Sequence, residues 1–136
     1  MRIYYLETAN TMIMGSIAEL NQIHAQLAEF LKSERRFLRL PAQVSGGTYP
    51  SRELLPALEV EKTEGSIYVS LSNERALRIA GGMENLMVYA EFFRFYDDEA
   101  GSHHHPECVE HSGYIKPGSL SVIIEPETEY FAGVSR

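Results

Sequence analysis

The chain has 136 residues, 44% of them apolar and 23% charged, which is the composition of one globular domain rather than of a disordered segment or a coiled coil. Its net charge is −7, and the charge is uneven: residues 1–83 balance, whereas residues 84–129 hold ten acids against Arg94 and Lys116, a net of −8. Such a field repels phosphate backbones and attracts basic proteins, so nucleic-acid binding is disfavoured; the bland alternative is an acidic surface that serves solubility.

Arg2 to Glu7 carries Ile3, Tyr4, Tyr5 and Leu6 and reads as a first strand rather than as an export leader. Asn10 or Thr11 then offers a helix cap. From Ile13 to about Glu34 the residues Ile13, Ile17, Leu20, Ile23, Leu27, Phe30 and Leu31 recur at steps of three and four, which predicts one amphipathic helix. His24 lies beside that stripe and reads as a packed or half-exposed helix residue rather than a ligand. Phe37 to Leu40 is a short apolar run. Residues 41–56 contain three prolines and Gly46-Gly47, which is the chemistry of a mobile loop.

Leu58 to Lys62, Ile67 to Leu71 and Ala76 to Ala80 are three short runs joined by tight turns, and they predict an antiparallel meander. After Gly81-Gly82 a second helical period runs from Met83 to about Tyr96. Tyr89, Phe92 and Tyr96 stand off its main stripe, so this helix is either covered on two faces or presents one to a partner, a second copy included. Asp97-Asp98-Glu99 begins an acidic exit loop, and His103 to Cys108 reads as an extended segment. Gly113 to Gly118 forms a turn around Tyr114, Leu120 to Ile124 is a final buried strand, and residues 127–136 form a loosely held tail. The fold class predicted is α+β, a mostly antiparallel sheet with two helices on one face, in the order β-α-β-β-β-β-α-β-β.

The chemistry on offer is concentrated near the C-terminal third. His103, His105 and Glu107 are spaced at i, i+2 and i+4, which on a strand turns all three to one face and suits zinc or a similar ion, with Cys108 and His111 nearby. Successive same-side positions on a straight strand are roughly 6.6 Å apart, so three in a row reach one ion only across a bend. Pro106 supplies the means for one. The competing use of the same imidazoles is hydrogen bonding to a partner. Cys108 flanked by Glu107 and Glu110 is a poor thiolate nucleophile, and no phosphate loop, GxSxG, CxxC or HExxH stretch is present. A lone cysteine also requires no oxidising compartment, which with the missing apolar span predicts a cytoplasmic protein.

His103-x-His105-x-Glu107, followed by Tyr114, Pro117, Ser119 and the apolar strand through Ile124, resembles the immunity proteins of bacterial polymorphic toxin systems, specifically the group numbered thirty-two. The resemblance extends more loosely through Gly65, Leu77-Arg78-Ile79, Gly81 and Asn85-Leu86, covering roughly residues 55–125. It departs from the pattern at Cys108, where that family tends to carry an aromatic residue. It implies a non-enzymatic protein, without cofactor, that neutralises a cognate toxin by binding it. The acidic half then suits a basic toxin domain, and the expected contact residues are Asp97, Asp98, Glu99, His103, His105, Glu107 and Tyr114. The alternative is a small metal-binding protein or metal-dependent enzyme built on His103, His105 and Glu107.

Overall fold

Ser16 sets the start of the first helix. Its hydroxyl accepts from Glu19 N and the Glu19 carboxylate accepts from Ser16 N, both at 3.0 Å, a reciprocal capping box that satisfies two otherwise orphaned amides. The computed structural model describes residues 1–6, 10–47, 49, 52–99, 101–108 and 113–127. Helix α1 therefore spans Ile17–Lys32, not Ile13 onward. Asn10–Gly15 forms strand β2, antiparallel to β1 (Arg2–Leu6), with Ile3 opposite Ile13. The Ile13–Ile17 step fits a helix by count alone. The cap at Ser16 breaks the helix between them, and Ile13 packs as a strand residue.

The α+β class is as the sequence implies, but among the described residues two strands precede α1, five separate it from α2 and one follows α2, in place of the order β-α-β-β-β-β-α-β-β. Among the described residues the strands form two sheets of four rather than the one sheet expected. In the first, β4 (Glu53–Leu54), β1, β2 and β8 (Ser121–Pro126) lie side by side, with β8 parallel to β2. The second holds β3 (Phe37–Pro41), β5 (Ala57–Lys62), β7 (Leu77–Gly81) and β6 (Tyr68–Leu71), in that order. The expected meander is thus corrected. Strand β7 hairpins with β6 but inserts between it and β5, pairing with β5 in parallel. Tight turns show which strands follow one another, whereas the order across a sheet is decided by what each strand buries.

Helix α2 covers Met83–Glu91, shorter than the predicted run to Tyr96, with Phe92 as its cap. The helices lie against each other, α1 also against β2 and α2 against β7. Leu20, Ile23, Leu27 and Phe30 of α1 join Leu58, Val60, Ile79, Leu86 and Phe93 in one apolar core shared by both sheets. Each such side chain contributes roughly 1.5–3 kcal/mol of burial. Of the three off-stripe aromatics Tyr89 is buried and Phe92 half-buried, whereas Tyr96, beyond the helix end, is exposed, so the set is covered only in part; α2 itself exposes Met83, Met87 and Val88 beside Glu84 and Glu91.

The start of α2 is set by a close backbone approach. Gly82 N and the Asn85 side-chain amide both donate to Gly65 O, at 3.0 and 2.7 Å, and a Cβ on Gly82 would stand 3.0 Å from Gly65 N. The 41–56 connection is closed at its base by Ala42 N donating to Pro56 O at 2.9 Å, and Leu55 within it is fully buried. Residues 48, 50 and 51 of that loop, and 128–136 of the tail, lie outside the described residues.

Candidate functional site

Where α2 ends, the chain is fastened to α1 by one side chain. Asn21 donates from Nδ2 to Phe95 O at 2.9 Å and accepts from Phe95 N at 2.8 Å, so a single amide satisfies both backbone groups of that residue. Phe93 and Phe95 consequently point into the core while Arg94 and Tyr96 point out. Asp97–Glu99 follows as one 3-10 turn. Glu99 closes it: its carboxylate accepts from Tyr96 N at 2.9 Å, and its carbonyl accepts from Ser102 N at 2.9 Å.

His104 locks the turn from the other side. Its backbone exchanges two hydrogen bonds with Ile124 of β8, at 2.8 and 2.9 Å. Its ring stacks on Phe95, Nδ1 lies 2.8 Å from Phe92 O, and Nε2 lies 3.3 Å from a Glu99 carboxylate oxygen. A carbonyl can only accept, so the hydrogen sits on Nδ1. The Glu99 contact becomes an ion pair whenever the ring is charged. Asn21, Phe95 and His104 were not singled out from sequence. The available signal is Phe93-x-Phe95, an alternation just past a helix end; His104 sits between the two histidines whose spacing draws attention.

The predicted site residues separate into three groups. Asp97, Asp98 and His103 are exposed and free to meet a partner; Glu99, His105 and Glu107 are half-buried. Tyr114 is 2% exposed and belongs to the core, which corrects its reading as a contact residue. Burial drives its phenol well above the ordinary range, and the Glu107 charge adds to the rise. Tyr89 is raised in the same way, by burial first and then by Glu107 and Tyr114. The charge of Glu107 is therefore felt by two inward-facing phenols.

The three-residue metal ligand set is corrected as well. His103 and His105 do come together, with ring centroids 4.8 Å apart. Cys108 N, however, donates to His105 O at 3.0 Å and closes a turn through Pro106, which takes Glu107 off the strand line. Among the described residues no three of His, Cys, Asp or Glu gather where they could hold an ion. His111 and Glu110 lie outside the described residues.

Tyr96 is the residue that sequence reasoning undervalued. Its ring is 60% exposed immediately before Asp97 and Asp98, with the Arg94 guanidinium 5.3 Å from its centroid. A large exposed aromatic beside two free carboxylates, on a turn fastened by Asn21, Glu99 and His104, is a rigid amphipathic surface.

The chain matches no family model, no curated protein and no solved structure. Among the described residues no helix is long and apolar enough to cross a membrane.

Proposed function

We propose that this domain is a non-enzymatic binding protein, an immunity-type inhibitor that neutralises a bacterial toxin domain with a basic surface by direct contact. The observation that carries the reading is the Tyr96-Asp97-Asp98 ridge: exposed aromatic and acidic side chains on a backbone held from both sides. Rigid presentation lowers the entropy lost on association. Tyrosine is also among the residues that dominate protein interfaces, and the net charge of −8 over residues 84–129 disfavours contact with nucleic-acid phosphates. In this reading Asp97 and Asp98 steer a basic partner and Tyr96 anchors it. His103 supplies a hydrogen-bonding rim, and Glu99 acts by shaping the turn. The resemblance around His103, His105 and Glu107 agrees in kind with a partner that is a protein.

The test is protection. The chain is co-expressed with a basic C-terminal toxin domain taken from any large modular secreted protein found to be encoded beside it, and growth is followed. Rescue by the wild-type chain, lost on Asp97→Lys with Asp98→Lys, supports the proposal. Rescue that survives this double reversal removes the ridge from it.

A further inference from the structure

His103, His104 and His105 are consecutive, and the middle residue decides what the outer two do. His104 is fixed by both backbone bonds to Ile124 and by its ring, which is stacked on Phe95. Side chains alternate along an extended chain, so turning His104 inward sends His103 and His105 outward together. Their rings meet nearly at right angles, 86° between planes, with centroids 4.8 Å apart.

That separation matches the spacing of two imidazoles on a shared ion. A zinc–imidazole bond of about 2.0–2.1 Å places each ring centroid roughly 3.2 Å from the metal, so two ligands about 90–110° apart have centroids roughly 4.5–5.2 Å apart. We propose that His103 and His105 form a two-imidazole chelate for a divalent transition ion of the zinc class, with the remaining coordination positions open to water. No third protein ligand joins them among the described residues, which sets this site apart from a closed structural one. Imidazole selects zinc, nickel and copper over magnesium and calcium, which prefer oxygen. Asp97, Asp98 and Glu107, close in sequence, and the −8 balance of residues 84–129 add a field that concentrates cations there. The inference does not depend on the toxin-binding reading, because it concerns the isolated domain and an ion.

An edge-to-face contact between the two rings would also bring them to this distance, and the two accounts separate in a titration. Tag-free protein is titrated with zinc chloride against a chromogenic chelator. The chelate predicts saturation at one equivalent and no competition from magnesium. It also predicts at least about tenfold weaker binding in His103→Gln or His105→Gln, with no measurable binding in the double variant. His24→Gln and Cys108→Ser should bind as the wild type does. Unchanged urea midpoints in the histidine variants would tie the loss to the ligands rather than to the fold. Absence of saturable binding in the wild type, equal binding in the double variant, or binding that is lost with Cys108 but not with the histidines would each overturn the site. None of these results bears on whether the ridge binds a toxin.

Discussion

The His104 imidazole lies flat on the Phe95 ring, with centroids 4.0 Å apart and planes 9° from parallel. This pair joins the end of α2 to strand β8, because Phe95 is clamped by Asn21 of α1 and His104 pairs with Ile124. The acidic turn between them inherits its rigidity from both. Truncating His104 to Ala removes the stack and leaves Phe92 O without its donor. A loss of about 2–3 kcal/mol is expected in urea unfolding, with faster amide exchange at Phe95 and Ile124. A change below about 0.5 kcal/mol would show that the stack holds nothing.

Glu99 differs from its two neighbours. Its carboxylate accepts from Tyr96 N and faces His104, whereas Asp97 and Asp98 are exposed. Glu99→Ala should therefore cost about 1–2 kcal/mol, and Asp97→Asn with Asp98→Asn no more than about 0.5 kcal/mol, both read by denaturant midpoint. Equal costs would erase the distinction between the shaping acid and the presented ones.

The buried Tyr89 hydroxyl has no hydrogen-bond partner among the described residues. Tyr89→Phe removes an uncompensated polar group and should raise stability by about 0.5–2 kcal/mol. The same site sets a pH dependence. The folded-state values of Tyr89 and Tyr114 are raised above the ordinary 10.0, so the folded state holds these protons more tightly than the unfolded one. Their contribution is complete below that value and is lost as the pH rises through the folded-state values. Chemical unfolding measured from pH 9 upward should show a shallower decline for Tyr89→Phe than for the wild type. Parallel declines would mean the phenol is not desolvated in solution.

Gly82 has an ordinary φ of −70°, so its need for glycine is purely steric. Ala there would press its Cβ against Gly65 N and O, 3.0 and 3.3 Å away, and displace the turn that caps α2. A cost of about 1–3 kcal/mol is expected for Gly82→Ala, and about 1 kcal/mol for Asn85→Ala, which loses its bond to Gly65 O. A neutral Gly82→Ala would show that this contact is loose.

Local chemistry made much of this fold legible. The Leu20–Ile23–Leu27–Phe30 stripe, the Gly81-Gly82 break and the Val122/Ile124 alternation all mark elements that are present. Strand β2 was not, because Met12-Ile13-Met14 alternates poorly and continues the helical count into Ile17. The parallel pairing of β2 with β8, like the insertion of β7 between β5 and β6, joins segments whose partners no neighbouring residue announces. At the candidate site the charges were readable and the support was not. Asp97, Asp98 and His103 are exposed in a segment rich in acids, but Tyr114 has the look of a surface tyrosine and is core. Asn21 is 74 residues from the backbone it clamps. A polar residue in a helix gives no sign of such a distant debt to another chain segment until both ends are folded.

The acidic ridge is proposed as the place where a basic protein lands, and stopped-flow association measures that directly. With the toxin domain as partner, the association rate of the wild type should fall steeply as salt rises. Asp97→Lys with Asp98→Lys should associate at least about tenfold more slowly at low salt, with a flattened salt dependence and an unchanged unfolding midpoint. Identical rates and identical salt slopes for the two proteins would contradict it.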